Sequence, residues 1–117
     1  MPITCLMRHA PYGTDRAHES LEALLAMAIF DPQIHAIWLD DGIFQITAHH
    51  EAHTIGRKNF NAMARAFELY DLSHCYACQT SLRLRGFGKN DIIEGVTVAE
   101  PDQLKTLLHN ATAIVSL

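Results

Sequence analysis

The chain has 117 residues, of which 49% are hydrophobic and 19% are charged, and its formal net charge at pH 7 is −4. This length suits a single domain over residues 1–117, with enough apolar side chains for an ordinary core. The acidic balance argues against direct nucleic-acid binding, which requires clustered Lys and Arg. No apolar run approaches the roughly 18 residues that a membrane span requires.

The amino-terminal segment and the cysteine usage indicate a reducing compartment. Residues 1–8 are too few and wrongly flanked for a signal peptide, and they are more typical of a first strand. Three cysteines without an export signal are expected to remain free thiols rather than to form a disulfide scaffold. We therefore expect a cytoplasmic protein that does not associate with membranes.

The first part of the chain alternates a short apolar run with a helical pattern. Residues 3–8 predict a first strand, and residues 9–13 predict a turn because they contain Pro and Gly. Residues 14–29 predict a helix, since apolar side chains recur at i, i+3, i+4 and i+7. The stripe that would face the core consists of Leu21, Leu24, Leu25 and Ala28.

The second strand and the long second helix follow. Residues 35–40 form a nearly continuous apolar run, typical of a strand that is covered on both faces. Asp41 and Gly42 end this strand, and residues 43–47 predict a short helical turn. Residues 48–54 form a polar, His-rich connector. Residues 55–70 predict a long helix with one apolar stripe.

The last part of the chain predicts two further α/β units. A third strand ends at Cys75–Cys78, and a short helix then runs to Gly86. Residues 95–99 predict a fourth strand. Pro101 is typical of an early helical position, so a last helix begins there, and residues 113–117 form a closing strand. The predicted buried face of the last helix consists of Leu104, Leu107 and Leu108.

This order of elements predicts an α/β fold with three αβα layers. Strands that alternate with helices favour a central, mostly parallel sheet of five strands. In such sheets, ligands and reactive groups gather at the carboxyl ends of the strands. Residues 9–13, 40–42 and 75–78 are all expected at that edge.

Cys78 is the principal candidate for chemistry, because it lies where the third strand turns into a helix. Unpaired backbone N–H groups and the positive end of the helix dipole favour the thiolate over the thiol at such a position. The thiolate is the form that attacks sulfur and accepts it. A buried small hydrophobic residue is the competing structural interpretation. Arg83 and Arg85 lie too far along the helix for a secure pairing with this thiol.

Cys75 is a weaker candidate for a second thiol. It is expected within the strand, where burial would make it inert. The Cys-x-x-Cys spacing is also found in thioredoxin-like redox couples, but these need both thiols exposed at one corner. A closed zinc site would need about two more ligands nearby. Cys5, on the first strand, is expected in the core.

The histidines allow a metal-binding alternative. If the connector were helical, His49 and His53 would share a face and could hold a metal ion, with Glu51 close by. However, the order His50-Glu51-Ala52-His53 has one spacer residue too few for the metalloprotease pattern, and a solvated loop is favoured.

Two further histidines and two loops each allow a functional and a structural interpretation. His9 and His74 could tune a thiol if either pointed into the same crevice, although partly buried structural roles are favoured. Gly13 with Thr14 could cradle an anion at a helix start, but a dinucleotide site is not expected without a Gly-x-Gly-x-x-Gly motif. Asp40 and Asp41 are neighbours that would point apart, so a turn is favoured over an acid–base pair.

Four segments, taken together and in order, resemble the DsrE/DsrF-like family. They are His9-Ala10-Pro11-Tyr12-Gly13 with Glu19 to Ala26, Asp41-Gly42-Ile43-Phe44-Gln45, Leu69-Tyr70-Asp71-Leu72, and Cys75 to Cys78 with Ser81 to Gly86. The chain is most similar to the TusC/DsrF type of subunit. The resemblance covers nearly the whole chain.

The resemblance implies a sulfur-relay role without a cofactor. Members of this family form α/β subunits that assemble with homologous DsrE/TusD-type and DsrH/TusB-type subunits or as homo-oligomers. They exchange persulfide sulfur with donor and acceptor proteins, in tRNA wobble-uridine thiolation or in intracellular sulfur oxidation. The sulfur-carrying cysteine belongs mainly to the DsrE/TusD type of subunit, and Cys78 occupies the corresponding place here.

Three functional hypotheses follow. In the first, the chain is a persulfide carrier, and so a sulfurtransferase, that uses Cys78, with Cys75 as a candidate second thiol. In the second, it is a non-catalytic scaffold subunit, whose apolar helix faces and Phe44 or Trp38 would form interfaces. In the third and weakest, it binds a metal or small ligand through His49, His50 and His53.

Overall fold

The computed structural model describes residues 2–10, 16–31, 33–47 and 65–117. Its five strands are β1 (Ile3–Met7), β2 (His35–Trp38), β3 (Cys75–Cys78), β4 (Val96–Ala99) and β5 (Ala113–Ser116). They form one sheet in the order β4-β3-β2-β1-β5, and every neighbouring pair is parallel. The predicted five-stranded parallel sheet is confirmed.

Within the described residues, four helical segments connect the strands. They are α1 (Arg16–Phe30), α2 (residues 65–69), α3 (Gln79–Leu84) and α4 (Pro101–His109), with two 3-10 helices at Asp40–Gln45 and Lys89–Asp91. Only the end of the predicted helix over 55–70 falls within the described residues. The predicted His-rich connector and the end of the first turn, residues 11–13, lie outside them.

The layers follow from the handedness of the crossovers. From β1 to β4 each strand is added on the same side of the previous one, so right-handed connections place α1 and α3 on one face. The return from β4 to β5 runs the opposite way and places α4 on the other face. The result is the predicted three-layer αβα arrangement, with very unequal outer layers.

The main core lies between the sheet and the helices α1, α2 and α3. Alternate strand residues, such as Cys5 and Trp38, point into it because side chains on a strand alternate between its two faces. Leu24 and Ala28 of the predicted α1 stripe are fully or nearly fully buried there. Phe67 of α2 packs on Trp38 with ring centroids 5.4 Å apart. Trp38 is completely buried, so its suggested role at an interface is wrong.

The opposite face is less well covered. The predicted buried stripe of α4, which comprises Leu104, Leu107 and Leu108, is only half-buried, and none of the residues in this helix is fully buried. A single nine-residue helix is too short to cover five strands. Ile114 on β5 therefore remains 51% exposed.

The end of β2 differs from its predicted form. The strand stops at Trp38 rather than at residue 40, and the 3-10 helix begins at Asp40, three residues before the predicted helical turn. Asp40 adopts a left-handed backbone conformation with φ of 52°. A β-strand requires a negative φ, so the strand cannot continue through this residue. Gly42 then approaches the end of β1 so closely that a Cβ atom there would lie 1.8 Å from the Met7 carbonyl oxygen.

Candidate functional site at the carboxyl edge of the sheet

Cys78 is the last residue of β3 and the N-cap residue of α3, as the sequence predicts. Its backbone is extended, with φ of −67° and ψ of 117°, so the chain changes direction at this residue. The side chain is half-buried. It makes no capping hydrogen bond to the helix. The expected contact between sulfur and the helix amides is therefore not formed, in keeping with a neutral thiol being a weak acceptor.

The other two thiols are enclosed. Cys5 is completely buried, and Cys75 is 2% exposed. Burial raises the pKa of the Cys5 thiol to about 11 and that of the Cys75 thiol to about 12. The sulfur atom of Cys75 faces the Leu72 carbonyl oxygen at 3.8 Å. Both thiols therefore stay protonated at neutral pH, whereas Cys78 is the one cysteine that solvent reaches.

Cys75 and Cys78 do not share a face of the sheet. Cys75 and Ala77 point into the main core, and strand alternation directs Tyr76 and Cys78 to the other side. All three cysteines are free thiols. The arrangement lacks the two thiols at one exposed corner that a thioredoxin-like couple requires.

Two aspartates from the end of β2 contact α3 and the end of β1. The Asp40 N–H donates to Ser81 Oγ at 2.9 Å, and Arg8 Nε donates to Asp40 Oδ2 at 3.1 Å. Arg85 reaches Asp41 Oδ1 with Nε at 3.3 Å and with a terminal nitrogen at 3.1 Å. Asp40 and Asp41 thus form ion pairs with different arginines, which agrees with the predicted turn rather than with an acid–base pair.

A buried polar pair connects β2 to the chain that leaves β1. Trp38 Nε1 donates to Gln45 Oε1 at 3.2 Å, and Gln45 Nε2 donates to the His9 carbonyl oxygen at 2.7 Å. Gln45 is itself buried. His9 is half-buried and lies at the predicted carboxyl edge, where its position is fixed through its backbone.

His74 lies at the opposite end of the sheet from Cys78. It precedes β3, and four residue steps along a strand separate it from Cys78 by about 13 Å. Its imidazole packs on His35 instead, with ring centroids 4.6 Å apart. The suggestion that His74 could tune the thiol at this corner is therefore wrong.

The metal alternative falls on residues that the structure does not describe. His49, His50 and His53 lie outside the described ranges, as do Gly13 and Thr14 of the suggested anion cradle. Within residues 2–10, 16–31, 33–47 and 65–117, no group of three or more His, Cys, Asp or Glu side chains could hold a metal ion. In the same ranges, no helix is long and apolar enough to cross a membrane.

Sequence reasoning missed the polar contacts around the site. Asp41 and Arg85 are 44 positions apart, and no local pattern joins them. Gln45 reads as an ordinary polar residue of a helical turn, so its burial beside Trp38 gives no sequence signal. Ser81 lies in the segment that carries the family resemblance, which is the only indication of its importance.

Comparisons with known proteins agree with this architecture. The solved structure of the ychN protein of E. coli superposes on this chain with a TM-score of 0.75 at 17% identity. The superposition covers 99% of this chain and 98% of that one. MTH1491 of Methanobacterium thermoautotrophicum, a protein of unknown function, superposes with a TM-score of 0.62 at 12% identity. It covers 98% of this chain and 96% of its own. These likenesses concern the fold.

Sequence relatives are more specific. A protein of Vibrio vulnificus named as a TusC homolog is 34% identical over 114 residues, which is 97% of each chain. The intracellular sulfur oxidation protein DsrF of Allochromatium vinosum is 39% identical over 89 residues, which is 76% of this chain and 65% of that protein. The DsrE/DsrF-like family matches residues 1–117. With this full-length match, the chain belongs to the DsrE/DsrF-like family.

Proposed function

We propose that this protein is a subunit of a sulfur-relay complex and that Cys78 carries the sulfur as a persulfide. The observation that carries the proposal is the contrast among the three thiols. Cys5 and Cys75 are buried with raised pKa values, whereas Cys78 is partly open to solvent at the carboxyl edge of the sheet. Reactive groups of parallel α/β folds gather at this edge.

The transfer needs no cofactor and no net oxidation. The Cys78 thiolate attacks the terminal sulfur of a donor persulfide, R–S–SH, and a new sulfur–sulfur bond forms. The sulfur–sulfur bond of the donor breaks, its electron pair leaves with R–S⁻, and Cys78 holds the sulfur as Cys–S–SH. An acceptor thiolate removes this sulfur by the same reaction in turn. Cys78 is the N-cap residue of α3, but its side chain makes no hydrogen bond to the helix, so the support for this step is the exposure of the thiol at the carboxyl edge.

The relatives support a place in sulfur metabolism. One is named as a TusC homolog and another as an intracellular sulfur oxidation protein. We infer that this chain works within a multi-subunit assembly, with DsrE/TusD-type and DsrH/TusB-type subunits or with copies of itself. Persulfide-bearing donor and acceptor proteins complete the relay, in tRNA thiolation or in sulfur oxidation.

A scaffold role is the second candidate, and the thinly covered face of the sheet favours it. Ile114 is half-exposed there, and the leucines of α4 are only half-buried. Apolar side chains at such a surface are typical of subunit contacts. In this case the chain would shape the complex while another subunit carries the sulfur.

Replacement of the chromosomal copy by Cys78→Ser in the source organism separates the two candidates. The measured quantities are thiolated wobble uridine in tRNA, sulfur oxidation, and recovery of the complex by affinity purification. A carrier role predicts that activity is lost while the complex is recovered intact. Full activity without the thiol would instead establish the scaffold role.

A further inference from the structure

The turn after β2 is strained and held from both sides. Asp40 has a φ of 52°, and the left-handed region is costly for a residue with a Cβ atom. Such a conformation persists only where the surroundings fix it. Here Arg8 binds the Asp40 carboxylate, and Ser81 accepts the hydrogen bond of the Asp40 N–H. The turn therefore connects the end of β1 to the helix that follows Cys78.

Arg85 fastens the same turn to the other end of α3. Its Nε and one terminal nitrogen both donate to Asp41 Oδ1, and its second terminal nitrogen donates to the Ser81 carbonyl oxygen at 3.2 Å. The Arg85 side chain is 22% exposed, much less than the Asp41 side chain at 62%. One guanidinium thus joins the turn to the Ser81 carbonyl group of the helix.

The length of α3 makes these contacts important for position. Six residues are too few for a helix to hold its shape alone, so its place depends on tertiary contacts. An exposed ion pair contributes little to overall stability. A planar guanidinium that donates several hydrogen bonds nevertheless fixes geometry in a way that a flexible ammonium does not.

We propose that Asp41 and Arg85 are positioning residues, which hold α3 against the turn after β2 and thereby set the place of the Cys78 sulfur relative to its reaction partner. This inference rests on the proposed role of Cys78. The two side chains act through each other and do not touch the reacting sulfur. Loss of either should therefore displace the thiol in the same way, and loss of both should add nothing beyond the loss of Arg85, which also gives up its bond to the Ser81 carbonyl oxygen.

The test is a double-mutant cycle on the full chain with Arg85→Met, Asp41→Ala and the double variant. Arg83→Met is the matched control, since the exposed Arg83 side chain makes no hydrogen bond or ion pair with the described residues. Two quantities are measured at Cys78. They are the rate of sulfur loading from glutathione persulfide and the rate of alkylation by iodoacetamide across a pH series. Thermal unfolding midpoints are recorded alongside.

Each single variant is expected to lower the rate of sulfur loading about tenfold, because small misplacements of a nucleophile are costly. Each should also change the alkylation rate of Cys78 by about threefold or more, in the same direction. The double variant should change this rate no further than Arg85→Met does. Arg83→Met should match the wild type. Equal unfolding midpoints would assign the effect to position.

The proposal would be overturned if both single variants were alkylated and loaded with sulfur at the wild-type rates. Additive effects in the double variant, or an equal effect of Arg83→Met, would also overturn it. If Arg85→Met does not fold, Asp41→Ala, which removes the acceptor from a side chain that is 62% exposed, gives the comparison. If wild-type Cys78 takes up no sulfur, the carrier role fails. The alkylation cycle then still decides whether Asp41 and Arg85 position the thiol.

Discussion

The Trp38 indole and the Gln45 carboxamide form a buried hydrogen bond of 3.2 Å, and Gln45 extends this contact to the His9 carbonyl oxygen. The two side chains fix the path of the chain that leaves β1. Both are buried, so neither polar group can turn to water in exchange for its partner. Removal of one partner therefore costs more than the bond itself contributes.

Gln45→Leu should lower the free energy of unfolding by about 1–3 kcal/mol, because the indole N–H and the His9 carbonyl lose their partner. Urea unfolding at neutral pH measures the change. Gln103→Leu on the exposed side of α4 is the matched control and should stay within about 0.5 kcal/mol of the wild type. Equal stabilities of the two variants would show that Gln45 does not hold this network.

Gly42→Ala should be among the most damaging single changes in the chain. The new methyl group would lie 1.8 Å from the Met7 carbonyl oxygen, so the backbone of the turn or of β1 must move. We expect a loss of more than about 3 kcal/mol in urea unfolding, or no folded protein at all. Gly88→Ala is the control, since its methyl group would meet only Asp91 Oδ2 at 3.8 Å. An unaltered Gly42→Ala protein would contradict the close approach of these segments.

Stability should fall on acidification because of His35. Desolvation, and then the nearby His74, lower the pKa of His35, while Asp31 acts in the opposite direction. The unfolded chain, with an ordinary histidine pKa of about 6.5, binds more protons, so unfolding gains as pH drops through that value towards the lower folded one. His35 Nδ1 also lacks a hydrogen-bond partner among the described residues. At pH values above the ordinary histidine pKa of about 6.5, the contribution of His35 to stability no longer changes with pH.

Thermal unfolding of the wild type and His35→Gln at several pH values between neutral and mildly acidic tests this effect. The variant should lose less stability than the wild type over this interval. His109→Gln, an exposed change at the end of α4, is the control for replacing a histidine. Identical slopes for the wild type and His35→Gln would remove His35 as the cause.

The three thiols should differ sharply in their reaction with iodoacetamide. In the native protein at neutral pH, Cys78 should take one adduct, while Cys5 and Cys75 react only after denaturation. Burial keeps their pKa values near 11 and 12 and blocks the reagent. Intact-mass measurements count the adducts, and Cys78→Ser should show none in the native state. A native adduct on Cys75 would restore it as a second functional thiol.

Features of the fold that depend on neighbouring residues could be predicted from the sequence, whereas contacts between distant residues could not. The corner at Cys78 was predictable, because a strand-like run ends there and a short helix ending at Gly86 follows. The ion pair between Asp41 and Arg85 was not, since the two residues are 44 positions apart and meet only after β2 and β3 have paired. The burial of Trp38 is also hidden from the sequence, because a single large aromatic residue can lie either in a core or at an interface. The half-buried state of α4 depends on how much of the whole sheet the helix can cover. The spacing of apolar residues within the helix does not contain this information.

The most direct test of the carrier role is peptide mass spectrometry of the protein after incubation with glutathione persulfide. We predict the added mass of one sulfur atom on the peptide that contains Cys78, removable by a thiol reductant, with Cys5 and Cys75 unmodified. Cys78→Ser protein should gain no sulfur. Added sulfur in that variant, or a wild-type Cys78 that remains a plain thiol, would contradict the proposal.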